Sequence, residues 1–299
     1  YVIRTTDGGD SWQGVTVAPG LPACHLEYIQ FLNPSVGYCS GPCGIFKSTD
    51  GGASWSADLT PDSTFSMWGG QFRNAQEGWF TGGGGCGNNI VLKTSDGAAT
   101  FTVFHDTTEK QSVLSDPYWD ATMPANTLYS IGSGSLWRSQ DDGVTWSVLT
   151  RTGTNAPWHE ELSMNGNAVL IPLGGNKCSS GIPGVYTGMR FSQDLGQTWN
   201  EYNTGLEMFG TFLHSATSGW AAGWDAAVYY TSNAGQSWQL RNCGLDGASM
   251  DDIFFLNNSD GWVVGDGVFR TAPALRIQSD TSLVFRNVCP DQTKRDTVT

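Results

Sequence analysis

Short apolar runs alternate with polar, glycine-containing corners along the chain. Runs such as YIQFL, GIFKS, DDIFFL and GVFRT are brief and lie between turn residues. Short runs with this pattern are typical of β-strands. No segment carries a sustained apolar repeat of about 3.6 residues, the period of a helix. We therefore expect an all-β chain.

One polar corner occurs six times. The segment TTDGGDSW, residues 5–12, recurs in KSTDGGASW, KTSDGAATF, RSQDDGVTW, FSQDLGQTW and YTSNAGQSW. The closing aromatic residues are 43, 46, 45, 53 and 39 residues apart. A period of about 40–50 residues is typical of propellers and other repeat arrays.

Each copy predicts a β-hairpin turn whose side chains have structural roles. Asp, or Asn in the last copy, can accept backbone N–H groups of its own turn, and a Gly two positions later supplies a positive φ. Ala98 replaces that Gly in the third copy, so we expect this turn to be the most distorted. The closing aromatic is expected to be buried between sheets. The predicted structural residues are Asp7, Asp50, Asp96, Asp141, Asp194 and Asn233, with Trp12, Trp55, Phe101, Trp146, Trp199 and Trp238.

The repeat Ser/Thr-x-Asp-x-Gly-x-Thr/Ser-Trp resembles the Asp-box, or BNR repeat, of the β-propellers in sialidases, xyloglucanases, sortilins and the photosystem-II-assembly-factor-like family. The last group is the most similar, because its Gly-Trp-x-x-Gly strand occurs three times here, in FRNAQEGWFTGG, FLHSATSGWAAG and FFLNNSDGWVVG. The resemblance covers about residues 1–272. It implies a seven-bladed β-propeller of four-stranded antiparallel blades, and six blades if residues 11–17 complete the sixth unit. The motif is shared by many activities and does not identify a function.

The end of the chain lacks this repeat. The segment SLVFRNVCPDQTKRDTVT resembles the first strands of hydin-type Ig-like modules. We therefore assign residues 1–272 to the propeller and residues 273–299 to a linker and the beginning of a following Ig-like β-sandwich domain.

Charge and composition exclude several classes of partner. The net charge of −13, without a Lys/Arg cluster, argues against nucleic acid. No run approaches the roughly 20 apolar residues of a membrane span, so direct membrane insertion is not expected. None of the seven cysteines forms a Cys-x-x-Cys pair, and we predict neither a metal nor a cofactor. Cys39 and Cys43 flank a Gly-Pro turn and are predicted to form a disulfide, with free thiols as the alternative.

A candidate binding surface follows from the blade topology. The repeated turns share one face of the ring, and the innermost strands begin on the opposite face, at the mouth of the channel. Five of these six starts carry acidic residues, and most carry aromatics, a combination suited to a sugar ring or a basic peptide. Solvent exposure of strand ends is the alternative explanation. The predicted ligand-binding residues are Trp68, Tyr118, Trp119, Trp158, His159, Glu160, Trp224 and Asp225.

The favoured function is a non-catalytic binding or scaffolding module of a larger secreted or cell-surface protein, with a protein or glycan ligand. No signal peptide opens the chain, and we take Tyr1 as an internal or processed end. Neighbouring domains of the same chain are further expected partners. No catalytic residue is assigned.

Two other functions remain open. The first is a glycoside hydrolase, which needs two suitably spaced carboxylates. Its candidates are Glu160, Glu161, Asp120, Asp251 and Asp252. A sialidase is disfavoured, because Arg4, Arg138 and Arg270 occupy one repeated position beside the turns. The second is a photosystem-type assembly factor, from which a basic patch would be expected.

Overall fold

A computed structural model describes residues 2–17, 25–83, 88–106, 114–132, 135–151, 161–174, 187–242, 245, 247–257 and 260–270. These residues form strands, turns and bends, and none of them is helical. No helix within these ranges is long and apolar enough to cross a membrane. The expectation of an all-β chain is confirmed.

The strands form antiparallel sheets in which consecutive strands pair. An N-terminal hairpin consists of β1 (Val2–Arg4) and β2 (Gln13–Val15). Blades one to three are β3 (Tyr28–Phe31), β4 (Gly37–Gly41) and β5 (Gly44–Ser48); β6 (Ser66–Phe72), β7 (Gly78–Gly83), β8 (Asn89–Thr94) and β9 (Thr102–Asp106); and β10 (Pro117–Tyr118), β11 (Leu128–Gly132), β12 (Ser135–Ser139) and β13 (Ser147–Arg151).

Blades four to six follow in the same order. They are β14 (Ser163–Asn165), β15 (Ala168–Leu173), β16 (Gly188–Ser192) and β17 (Asn200–Tyr202); β18 (Met208–Leu213), β19 (Gly219–Gly223), β20 (Ala227–Thr231) and β21 (Gln239–Leu240); and β22 (Met250–Phe255), β23 (Gly261–Gly265) and β24 (Val268–Arg270). The first strand of each blade is its innermost strand.

The described residues form a β-propeller with six blades of three or four strands, so the predicted seven is wrong. The N-terminal hairpin supplies two strands that pair only with each other, and it does not make a blade. It lies between blades six and one. Arg270 Nη1 donates to Gly8 O at 3.0 Å, and Arg4 Nε donates to Gly51 O at 2.7 Å.

Apolar clusters join each pair of consecutive blades from one to six, and another joins the hairpin to blade one. Tyr38 and Ile45 of blade one, for example, pack with Met67 and Phe80 of blade two. Central strands are covered on both faces, which explains why β7 and β15 are buried throughout. Burial of apolar surface between sheets is the main force that holds the ring together.

The six repeated turns share one hydrogen-bond pattern. After β5, Ser48 Oγ accepts the N–H of Gly52 at 2.8 Å, and Asp50 Oδ1 accepts the N–H of Ser54 at 2.9 Å. Ser54 Oγ also donates to Asp50 Oδ2 at 2.6 Å. Two consecutive residues with positive φ follow the Asp or Asn in every copy, as in a type I′ hairpin turn.

The third turn is not distorted, contrary to our expectation. Ala98 adopts a φ of 66°, and its N–H donates to Thr94 Oγ1 at 2.9 Å. Asp96 Oδ1 accepts the N–H of Thr100 at 2.9 Å, the same bond as in the other turns. The shared bonds therefore hold an alanine in the left-handed region at this position.

The closing aromatics differ in burial. Trp146 and Trp238 are each 8% exposed, whereas Trp12 in the hairpin is 41% exposed. The hairpin has two strands and a blade has three or four, so less of the sheet is available to cover Trp12.

The predicted disulfide between Cys39 and Cys43 is wrong. Cys39 is a free thiol on β4, where it packs with Val17 and Phe46. Desolvation raises the pKa of its thiol to about 12. Its side chain faces this apolar cluster, which the spacing of the two cysteines did not show.

The predicted Ig-like segment, residues 273–299, lies outside the described residues and remains a prediction.

Candidate functional site

Three carboxylates from different blades meet in the channel. Asp116, Glu161 and Asp252 form this carboxylate cluster. Glu161 shares a hydrogen bond with Asp252, and the charges of Asp116 and Asp252 both act on Glu161. These residues belong to the innermost segments of blades three, four and six. Contact across non-adjacent blades shows that the innermost strands converge on one axis.

Two of these carboxylates also connect neighbouring blades. The N–H of Leu162 donates to Asp116 Oδ2 at 2.8 Å, and the N–H of Thr211 donates to Glu161 Oε2. Uncharged side chains do the same elsewhere, as where Gln30 Oε1 accepts the N–H of Phe72 at 2.8 Å. The exposed edge of an innermost strand has unpaired backbone groups, and these contacts satisfy some of them.

Glycines allow the close approach of these strands. A Cβ added at Gly69 would lie 2.6 Å from Asp116 Cα, and one at Gly210 would lie 2.6 Å from Asp252 Cα. Real Cβ atoms do not tolerate such distances to backbone atoms. Glycine at both positions therefore brings the cluster residues toward the channel.

Desolvation raises the pKa values of all three carboxyls. It raises the pKa of Asp116 to about 7, with a further rise from the charge of Asp252 and an opposing effect of the bond from Leu162. The pKa values of Glu161 and Asp252 are also raised, again chiefly by desolvation. Carboxyls with raised pKa values occur both as proton donors in catalysis and as buried structural groups.

The predicted hydrolase carboxylates have different surroundings. Glu161 and Asp252 belong to the cluster, and Asp251 is adjacent, with a pKa raised by desolvation and by the charges of Asp266 and Asp252. Asp120 Oδ1 instead accepts the N–H of Thr122 at 2.7 Å, in a local turn. Glu160 lies outside the described residues. Asp116 starts its strand as the others do, and we had not chosen it.

Two predicted ligand-binding aromatics belong to blades two and five: Trp68 lies on β6, where its equivalent in blade five is Phe209, and Trp224 directly follows β19. Trp68 stacks on His25 with centroids 6.3 Å apart. Trp224 is 46% exposed and lies 5.4 Å from the ring of Phe209, with Asp225 next to it. A β-bulge follows Met67 in β6 and Met208 in β18, and another follows Met250 in β22. Bulges redirect side chains, and these place Trp68, Phe209 and Asp251 out of register with the strand beside them.

The other predicted ligand-binding residues are not all brought to this surface. The hydroxyl of Tyr118 donates to Met164 O at 2.8 Å, which connects blades three and four. Trp119 lies 4.9 Å from the guanidinium of Arg73. Arg73 bonds Asp142 of a repeated turn, so Trp119 lies with the turns. Trp158, His159 and Glu160 lie outside the described residues.

Four of the recurring cations before the turns contact the turn of the next sheet. Lys47 Nζ donates to Gly97 O at 2.9 Å, and Lys93 Nζ pairs with Asp142. Arg4 and Arg270 make the equivalent contacts on either side of the hairpin. Sequence repetition identified these positions but not this contact. No group of three or more His, Cys, Asp or Glu suited to a metal occurs among the described residues.

No known family model matches the chain. A curated relative, the photosystem II assembly lipoprotein Ycf48 of Synechococcus sp. (strain CC9902), is 22% identical over 280 residues, which cover 80% of this chain and 81% of the relative. This name contradicts the expected location. A photosystem II assembly lipoprotein is not an extracellular secreted protein, so the prediction of a secreted or cell-surface module is wrong.

Solved structures are similar in fold. An ancestral GH74 enzyme has a TM-score of 0.67 and 15% identity, over 87% of this chain and 40% of that one. A structure described as YCF48 bound to D1 peptide has a TM-score of 0.49 and 16% identity, over 84% of this chain and 94% of that one. The chain is thus similar in sequence to a photosystem II assembly protein and in fold to a GH74 enzyme.

Proposed function

We propose that this chain is a non-catalytic β-propeller that binds a protein partner during assembly of a multisubunit complex. The observation that carries the proposal is the similarity to the photosystem II assembly lipoprotein Ycf48, which extends over 80% of this chain and 81% of that protein. The assembly factor therefore replaces the secreted module as the favoured function.

The carboxylate contacts support a structural role for the channel. Asp116 and Glu161 accept backbone N–H groups of the next blade, and Asp120 is held in its own turn. A hydrolase needs two carboxylates that face a substrate. Carboxylates that join blades are instead part of the scaffold on which the binding surface is built.

The charge of the chain indicates the chemistry of the partner. We expected a basic patch on an assembly factor, but the chain carries a net charge of −13. A strongly acidic protein attracts basic surfaces and repels acidic ones. The partner segment is therefore proposed to be basic, and binding is expected to weaken as salt concentration rises.

Photosystem II proteins are the first partners to test. The full chain would be immobilised and exposed to solubilised photosystem II core proteins and to overlapping peptides of their subunits, with the Synechococcus relative as positive control. We expect saturable binding with a Kd on the order of 1 μM, as for transient protein contacts. Binding by the relative and none by this chain would refute the proposal.

The cluster also defines a second candidate, a glycoside hydrolase. Its specific support is the raised pKa of Asp116, about 7, together with the electrostatic interaction of Asp116 with Asp252 and Glu161. The chain would be incubated with xyloglucan and other β-linked polysaccharides, and new reducing ends measured. The assembly proposal predicts no turnover. Turnover that disappears in Glu161→Gln or Asp252→Asn, but persists in Asp62→Asn, an exposed carboxyl that accepts the N–H of Thr64, would establish the hydrolase instead.

A further inference from the structure

Among the described residues, one edge of the N-terminal hairpin has no partner strand. Blades one to six have three or four strands, whereas the hairpin between blades six and one has two. Within the described ranges, β1 pairs with β2 and with no other strand. The second edge of β1 therefore presents backbone N–H and C=O groups that an incoming strand can bond.

An apolar cavity lies beside this edge. Its volume is about 420 Å³, and its lining includes Ile3, Arg4, Trp12, Ile29, Phe31 and Trp55. Ile29 is 52% exposed and Phe31 is 42% exposed, both on the innermost strand of blade one. At the corresponding surface of blade four, Leu162 and Met164 pack on blade three and are 3% and 4% exposed. Blade one thus has an apolar surface that other blades cover with a neighbour.

Exposed apolar side chains are concentrated around the hairpin. Of the nine large exposed hydrophobic residues in the described part of the chain, six belong to the hairpin or to the innermost strand and following corner of the flanking blades. They are Ile3, Trp12, Ile29, Phe31, Phe254 and Leu256. A concentration of this kind marks an interaction surface, whereas single exposed apolar residues do not.

We propose that the groove formed by β1 and β3 binds an extended segment of the partner protein, which adds to the open edge of β1 as a strand. This inference rests on the proposed function and specifies where and how the partner binds. Ile29 and Phe31 alternate with Tyr28 and Gln30, which face blade two. Apolar positions on the groove wall therefore repeat every second residue, the period of an extended strand.

Alternation and charge define the segment. It has apolar side chains at alternate positions, which enter the cavity, and its backbone pairs with β1. Its other side chains include Lys or Arg, because the net charge of −13 favours a basic partner.

A designed peptide tests this chemistry. The probe is fluorescein-labelled Lys-Val-Thr-Val-Lys-Val-Thr-Val-Lys, titrated into the full chain and followed by anisotropy. A peptide of the same composition, with its valines contiguous and its lysines at one end, is the matched control. We expect the alternating peptide to bind about tenfold more tightly or better, since each apolar side chain that enters a pocket contributes a factor of this size. Equal binding of both peptides would overturn the proposal.

Two variants locate the site. Ile29→Asn should weaken binding about tenfold or more, because one apolar contact is lost. Leu240→Asn changes an apolar residue that is 50% exposed on β21, in the outermost strand of blade five, and should bind as the unchanged chain does. Equal affinities of all three proteins would place the peptide elsewhere and refute the groove.

Photo-crosslinking identifies the occupant. A benzoylphenylalanine at position 31 of the full chain should form an adduct with the peptide, read by mass spectrometry. An adduct only with residues 271–299, or only with a second copy of the chain, would overturn the proposal.

The groove proposal and the proposed function would fail in different ways. If photosystem II proteins bind the unchanged and Ile29→Asn chains equally, only the groove is wrong. If the unchanged chain binds none of them, the proposed function is wrong.

Discussion

At the scale of single residues, the repeated turns hold their aspartates in the ionised form. The hydroxyl and N–H of Ser54 lower the pKa of Asp50 to about 2, with a further contribution from Ser48. Thr100 and Thr94 have the same effect on Asp96. A folded-state pKa below the unfolded value of about 3.9 stabilises the protein above that pH. This stabilisation is lost as the pH falls from about 4 through 2.

The sixth turn provides a natural control, because Asn233 accepts the same backbone N–H bond without a charge. We expect Asp50→Asn to fold and to lower the melting temperature at pH 7, with a difference from the unchanged chain that shrinks toward pH 2. The reciprocal Asn233→Asp should add acid sensitivity over the same range. Thermal unfolding between pH 2 and 7 checks both. Differences that do not depend on pH would show that ionisation is irrelevant to the turn.

The roles of the turn residues followed from sequence because each bond joins residues at most four positions apart. Asp50, Ser48 and Ser54 are fixed by local spacing. Asp116, Glu161 and Asp252 are far apart in the chain, so only the ring closure brings them together. The positive φ of Ala98 was also not predicted. The sequence does not show whether the hydrogen bonds of the turn outweigh the strain of an alanine in the left-handed region.

At the scale of elements, neighbouring innermost strands pack very closely. The backbone of one strand contacts both the side chains and the backbone of the next. Gly69 is the closest example in blade two, since an added Cβ would meet both Cα and N of Asp116, at 2.6 and 2.7 Å. Backbone atoms cannot rotate away as side chains do. The interface between blades two and three can therefore adapt only by separating.

Gly69→Ala should destabilise the chain by about 1–3 kcal/mol, the range for overpacking. For a chain of this size, each kcal/mol lowers the melting temperature by about 2–4 °C. Gly267→Ala is the matched control, because its Cβ would meet only ring atoms of Phe269, at 3.1 and 3.2 Å. Calorimetry should show a clear loss for the first variant and a smaller one for the second. Equal losses would contradict the packing argument.

Strand order was predictable, and the number of blades was not. The repeated turn fixes the two strands on either side of it, so the consecutive meanders follow from local sequence. The hairpin carries the same turn as a blade, with Asp7 bonded as Asp50 is. A local motif cannot report that β1 and β2 pair with no further strand among the described residues, and counting the hairpin as a blade therefore gave one blade too many.

At the scale of the whole molecule, one group of carboxyls lowers stability at acidic pH and another group lowers it as the pH rises. The turn aspartates have lowered pKa values, and their contribution is lost below about pH 4. The cluster carboxyls have raised pKa values, with Asp116 at about 7, so they ionise at a higher pH in the folded chain than in the unfolded chain. Their contribution is complete below about pH 4 and is lost as the pH rises toward 7.

Stability should therefore be greatest near pH 4 and should decrease from there toward pH 7. In Asp116→Asn the amide oxygen can still accept the N–H of Leu162, but the side chain has no charge to gain. The stability of this variant should therefore decrease less between pH 4 and 7 than the stability of the unchanged chain. Chemical denaturation at several pH values measures this. Asp225→Asn on an exposed corner should leave the profile unchanged, and stability that rises from pH 4 to 7 would contradict the account.

The contact between the hairpin and blade six spans 262 residues of sequence. During synthesis, β1 and β2 leave the ribosome long before blade six and must therefore wait for that blade before they find this neighbour. Contacts so distant in sequence slow folding and leave apolar edges exposed in the meantime. Ring closure should then be the last event of folding, and the nascent chain should depend on chaperones until Arg270 has emerged.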